Sequence, residues 1–228
     1  MKVLFALTSH GELGKSNRQT GWYLSEAAHP WKALHERGIH VDFVSPRGGA
    51  CPLDPTSFDL SDPVCKQFWE DPEVQRRLMN TITANQVDAN SCQAIHFVGG
   101  HGVMWDFPSN IPLANLAARI YEHGGIISSV CHGAAGLLNL KVQGNYIVRG
   151  KKVACFTNAE EDAVDCTKWV PYSLENCMKE RGALVQVGDK WTSNVIVDGR
   201  VITGQNPQSA TELGKKLVEL LNGSLPSQ

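Results

Sequence analysis

Short apolar runs recur along the chain, separated by longer stretches with helical spacing. The runs are KVLFALT (2–8), IHVDFVSP (39–46), QAIHFVGG (93–100), GGIISSVC (124–131), KKVACFT (151–157) and ALVQVG (183–188), followed by VIVDGR and VITG within 195–204. They are rich in Val and Ile, show little polar alternation and end in Gly, Ser or Thr. That pattern predicts strands buried on both faces. The stretches between them predict helices. Thr20 to Arg37 carries Trp22, Ala27, Trp31 and Leu34 and stops at Gly38, with Pro30 expected to kink or split it. IPLANLAARIYEHGG places Leu113, Leu116, Ala117 and Ile120 on one face and ends on Gly124. PYSLENCMKERG is expected to start at its proline and stop at Gly182. The last helix opens at Asn206-Pro207 and stripes Leu213, Leu217, Leu220 and Leu221.

Strands alternating with helices predict a doubly wound, mostly parallel α/β sheet. Such sheets bind ligands beyond the carboxyl ends of their strands. No internal repeat or low-complexity linker interrupts the pattern, so one domain over 1–228 is expected. The stretch of about 47–90 is irregular and rich in Pro and Asp. Within it DPEVQRRLMNTI reads as a short amphipathic helix, and the whole as an insertion covering one edge of the sheet. The tail from about 223 (GSLPSQ) is expected to fray.

Composition narrows the function. A formal net charge of −2 and the absence of single-sign runs give no reason to expect a nucleic-acid partner. The apolar stretch in MKVLFALTSHGE is too short for a membrane span, and a cytoplasmic protein with no membrane partner is expected. The seven cysteines are odd in number and include no C-x-x-C pair. This argues against a disulfide scaffold or a structural zinc site and for a reducing compartment.

One cysteine stands apart. In SSVCHGAAG (128–136) a buried run meets a small-residue segment at Cys131, with His132 and Gly133 directly after it. This has the form of a nucleophile elbow, in which a sharp strand-to-helix turn lifts the side chain clear. A helix start there would lower the thiol pKa, and the N–H of His132 would join an oxyanion hole. A buried packing cysteine is the bland alternative. A second glycine-rich strand end, FVGGHG, offers the N–H of Gly100 as another oxyanion donor, or simply a tight turn. His101 and Trp105, in GHGVMWDFP, line the pocket mouth or, with Phe107, pack; both readings stay open.

These motifs resemble the ThiJ/PfpI superfamily, and within it the glutathione-independent glyoxalase branch that also includes heat-inducible chaperones. The matching stretches are LTSH, TGWYLSEAAHPW, VDFVSPRGG, GGHGVMWDFP, VCHGAAGLL, GKKVACFTNAEED and DGRVITGQNPQSA, which span nearly the whole chain. The resemblance implies a flavodoxin-like fold, a homodimer, and Cys131 as nucleophile with His132 as its partner. It implies that Glu26 hydrogen-bonds the sulfur and that Glu161 orients the histidine. The family loop has one Glu where this chain has Glu160 and Glu161, and counting from Phe156-Thr157 favours Glu161. Burial among Leu24, Ala27 and Ala28 should raise the Glu26 pKa. Asp162 and Asp165 are expected to face solvent.

The implied activity is conversion of a small 2-oxoaldehyde, methylglyoxal or glyoxal, to lactate or glycolate. That is a lyase reaction (hydro-lyase class) that protects against carbonyl stress and requires neither a metal nor an organic cofactor. Other readings stay open. One is a redox sensor or holdase chaperone, in which Cys131 is oxidised to sulfinate. Another is a cysteine amidase, peptidase or protein deglycase. The class I glutamine amidotransferases, a related group, complete their triad with a distant H-x-E, and TGQNPQSATEL here has no histidine.

Overall fold

The computed structural model describes residues 1–223. Nearly all of the tail expected to fray, 224–228, lies outside the described residues. The strands are β1 Lys2–Ala6, β2 His40–Val44, β3 Ala94–Phe97, β4 Ile126–Val130, β5 Lys141–Val142, β6 Asn145–Tyr146, β7 Lys152–Val153, β8 Leu184–Val185, β9 Val195–Asp198 and β10 Val201–Gly204. Six of them form the central sheet in the order β2-β1-β3-β4-β10-β9. All neighbours pair in parallel except β9, which runs antiparallel to β10. This is the mostly parallel α/β sheet that the alternating runs predict.

The helices are α1 Leu24–His35, α2 Pro63–Glu70, α3 Pro72–Leu78, α4 Val103–Asp106, α5 Ile111–Glu122, α6 Asn158–Ala163, α7 Leu174–Glu180 and α8 Ala210–Leu221. Alternate strand residues feed two cores, as the period of a strand requires. Leu4, Ile95, Phe97 and Ile127 pack with Leu113, Leu116 and Ile120 of α5 on one face. Val3, Phe5, Ala94 and Ile202 pack with Leu24, Ala27 and Trp31 of α1 and Leu213 and Leu217 of α8 on the other. Burial on both faces is why these strands read as unbroken apolar runs.

Several local expectations are corrected. KKVACFT does not join the central sheet; only Lys152 and Val153 form a strand, paired with β8. Its backbone is tied elsewhere: Ala154 N–H donates to the Thr203 hydroxyl and Phe156 N–H to the Cys131 carbonyl. Burial without ladder pairing gives the same apolar signal as a strand. β9 is an edge strand, half-buried along its length and turned back on β10. α1 begins at Leu24, because Trp22 N–H and Tyr23 N–H are bound to the Pro52 and Gly99 carbonyls. Pro30 lies inside α1 without ending it. α7 starts at Leu174, capped by the Ser173 side chain, so Pro171 precedes it. The final helix is preceded by a single 3-10 turn over Pro207–Ser209. In the 47–90 stretch, α3 lies within DPEVQRRLMNTI, while α2 was not foreseen. Asp62 and Asp71 cap the two helices, and α2 packs on α1 and α3 beside β2.

Among the described residues, no helix is long and apolar enough to cross a membrane.

Candidate active site

The carboxyl ends of β3 and β4 meet side chains of α1 and α6 in one cluster. Val130 ends β4 in extended backbone, and Cys131 turns at φ +56, where L residues are disfavoured. Close packing of the next residues holds this turn. A Cβ on Gly133 would fall onto the Phe97 carbonyl of β3, so only glycine lets the segment sit so close. Residues Cys131–Leu137 form a 3-10 helix, not the α-helix expected there.

That change bears on the thiol. Cys131 is 3% exposed. Burial, then the charge of Glu26, pushes its pKa well up, against a pull from the His132 N–H. The expected lowering by a helix start is therefore overturned: desolvation outweighs one short 3-10 segment. The resting sulfur is a thiol whose proton needs an acceptor close by.

Two groups flank it, one of them an acceptor. His132 Nδ1 lies 3.4 Å from Cys131 Sγ. On the other side is Glu26, wholly buried on α1. Neither of its carboxyl oxygens makes a hydrogen bond of good geometry. Its neighbours are the Gly99 N–H and the Cys131 thiol, and burial outweighs both, raising the carboxyl to about 8. A buried carboxyl with so little support holds its proton at neutral pH. Gly99 sits between the two groups. A Cβ there would collide with Glu26 Oε2, approach Val130 O to 2.7 Å and meet Cys131 Cβ at 3.0 Å.

His132 is in turn held by Glu161. His132 Nε2 lies 2.7 Å from Glu161 Oε2, and His101 Nε2 lies 2.6 Å from Oε1. A carboxylate only accepts, so both Nε2 atoms carry protons and His132 Nδ1 is left to face the thiol. The two imidazoles then diverge. Burial disfavours charge on His101, but Cys166 and Glu161 outweigh it and raise its pKa to about 9. Burial and the neighbouring His101 charge lower His132, against the pull of Glu161. Burial works against the Glu161 charge, yet the two histidines hold this carboxyl well below the usual carboxylate range. One charged and one neutral imidazole thus share one carboxylate.

Glu160 does a different job. Its Oε2 accepts from the Thr157 N–H and hydroxyl, and its Oε1 from Trp191 N–H and Asn206 Nδ2. It closes a capping box at the start of α6 and ties that turn to the loops around Trp191 and Asn206. The signature T-x-x-E at Thr157–Glu160 was available in the sequence and separates the two glutamates. Asp162 and Asp165 are exposed.

A cavity of about 270 Å³ opens over the sulfur. Gly100, His101, Cys131 and His132 line it, as the sequence suggests. Trp105 does not. Asp106 beside it binds the Thr8 hydroxyl and the Ser9 N–H, and the indole stacks on His10 with centroids 4.9 Å apart. Phe107 is buried core. The wall is instead supplied by Phe156, Trp191, Cys166 and Arg18, none of them foreseen. Trp191 comes from a polar loop that carries no motif, and Cys166 is turned inward by the left-handed Asp165 before it.

Among the described residues, two clusters have the composition of metal ligands. His101, His132 and Glu161 bring ligand atoms within 4.8 Å of one another, but both histidines spend their Nε2 protons on Glu161. In His29, Asp62 and Cys65, Asp62 already caps α2, and burial, then Asp62, pushes the Cys65 thiol up to about 12. Each set is already satisfied by its own hydrogen bonds or held protonated.

Known proteins share this arrangement of elements. The DJ-1/PfpI family model matches residues 19–220. "Glyoxalase 3" of Candida albicans is 30% identical, covering 96% of this chain and 97% of its own. "Glutathione-independent glyoxalase HSP31" of Saccharomyces cerevisiae is 31% identical, covering 96% and 98%. The solved structure of Rapid Encystment Protein 24 KDa from Francisella tularensis superposes with a TM-score of 0.92 at 40% identity, covering 96% of this chain and 98% of that one. A family match running from before the first helix to within the last, through β2 to β10 and Cys131, makes this chain a member of the DJ-1/PfpI family.

Proposed function

We propose that the protein is a glutathione-independent glyoxalase acting on small 2-oxoaldehydes such as methylglyoxal. The observation that carries this reading is the wholly buried Glu26 carboxyl, without a well-formed hydrogen bond, facing the Cys131 thiol, with His132 Nδ1 on the other side. The names of the yeast relatives support the same activity.

The chemistry balances with these groups and water. His132 Nδ1 takes the thiol proton as Cys131 Sγ bonds to the aldehyde carbon, and the Glu26 carboxyl gives its proton to the carbonyl oxygen, leaving a hemithioacetal and the Glu26 carboxylate. The N–H groups of Gly100 and His132 stabilise the developing oxyanion. The Glu26 carboxylate then removes the hydrogen on the sulfur-bearing carbon as the His132 imidazolium protonates the neighbouring ketone oxygen, and an enediol forms. Glu26 returns the proton to the neighbouring carbon as His132 takes the hydroxyl proton from the sulfur-bearing carbon, leaving a thioester: one carbon is oxidised, its neighbour reduced. Water cleaves the thioester to lactate and regenerates the thiol. A pKa near 8 lets Glu26 exchange this proton close to neutrality. Glu161 fixes the His132 tautomer and orientation throughout.

The test is lactate formation from methylglyoxal without glutathione. Stoichiometric lactate supports the reading, and methylglyoxal loss by simple adduct formation with no lactate contradicts it.

A further inference from the structure

His96, in the middle of β3, is wholly buried and takes no part in the chemistry above. Its Nε2 lies 3.1 Å from the main-chain oxygen of Glu26, and its Nδ1 lies 2.9 Å from Ser128 Oγ on β4. A carbonyl only accepts, so Nε2 carries the proton. Burial holds the ring neutral, lowering its pKa to about 4, so Nδ1 is a lone pair and the Ser128 hydroxyl donates to it. The bonding pattern has one solution.

The Glu26 carbonyl needs this donor because of the residue four places on. In an α-helix it would accept the N–H of residue 30. Residue 30 is proline, which has no N–H and whose ring crowds that carbonyl. Proline and histidine, on different elements, thus account for each other: one removes the donor and the other replaces it.

The clamp is also aimed. His96 and Ser128 are register partners across β3 and β4. Gly99 and Cys131 each lie three residues further along the same two chain segments. The backbone turn that carries the Glu26 side chain is therefore tied to the two strands that carry its neighbours.

We propose that His96 is a positioning residue, which with Pro30 and Ser128 fixes the first helix so that the Glu26 carboxyl faces the Cys131 sulfur. The inference rests on the reading of Glu26 and Cys131 as the reacting pair.

The test separates this from mere core packing. The variants are His96→Leu, which loses the donor; His96→Gln, which can still reach the carbonyl with an N–H; and His96→Leu/Pro30→Ala, which restores an N–H within the helix. Two readouts are taken on the full chain: the pH dependence of Cys131 alkylation by iodoacetamide, located by mass spectrometry, and kcat and KM for methylglyoxal. The groups facing Glu26, which set that pH dependence, are Cys131, Gly99, His101 and Asp54, with Tyr23 just before the helix. In His96→Leu the alkylation profile should shift and kcat fall about tenfold or more, with KM little changed. His96→Gln should stay near wild type, and Pro30→Ala should restore much of the loss in the double variant. A folded His96→Leu with wild-type profile and kcat overturns the proposal, as does a double variant no better than the single. If His96→Leu does not fold, His96→Gln and the double variant decide: near-wild-type profiles in both support the clamp, and altered profiles in both overturn it. Should the wild type fail to turn over methylglyoxal, the glyoxalase reading falls, while the alkylation profiles still test the clamp.

Discussion

The Glu26 carboxyl, carried on the first helix, faces the Cys131 thiol at the end of β4 with neither of its oxygens in a well-formed hydrogen bond. Such a pair is costly to bury, and its cost depends on pH. Between the ordinary value of 4.5 and about 8 the folded protein keeps a proton that the unfolded chain has lost. Stability therefore falls as pH rises through that window, by up to about 1.4 kcal/mol per pH unit from this group.

Glu26→Gln should remove that slope. Thermal unfolding of wild type and variant from pH 5 to pH 8 should converge toward acid and separate toward base, with the variant gaining relative stability. Parallel curves would show that Glu26 ionises normally. The same variant should lose the base-catalysed limb of kcat/KM.

Glu160 and Glu161 are adjacent but should fail differently. Glu161→Gln should lower kcat by about 10²- to 10⁴-fold, since it leaves His132 without a fixed tautomer. Glu160→Gln should cost on the order of 1–3 kcal/mol of stability, because a buried amide cannot accept all four bonds that Glu160 accepts. Chemical denaturation alongside steady-state kinetics checks both, and the opposite assignment of losses would refute the division of labour.

The sequence made the sheet legible because its strands are buried on both faces, and an unbroken Val/Ile run has few other uses. It misled at KKVACFT, where burial is real but the backbone bonds go to Thr203 and Cys131. Hydropathy reports burial, not ladder pairing. Cys131, His132 and Gly100 were legible because the elbow and the FVGGHG turn are local. The thiol pKa was not, since a motif shows a helix start but not the desolvation around it. Of the two readings that the sequence leaves open for Trp105, packing away from the mouth is the one seen, with Asp106 bound to the Thr8 loop and the indole stacked on His10. Trp191 fills that part, and nothing in GDKWTSN announces it.

His101 should tune its neighbour. Its charge lowers the His132 pKa, after burial. Replacing it in His101→Gln should raise that pKa and move the acidic limb of the kcat/KM profile to higher pH. An unmoved limb would mean that the two imidazoles are not electrostatically coupled.

The most direct measurement is of lactate formed from methylglyoxal without glutathione by wild type and by Cys131→Ser. Wild type should form lactate equal to the methylglyoxal it consumes, and the variant should lose turnover with its fold intact. Lactate formation by Cys131→Ser at the wild-type rate would contradict the mechanism.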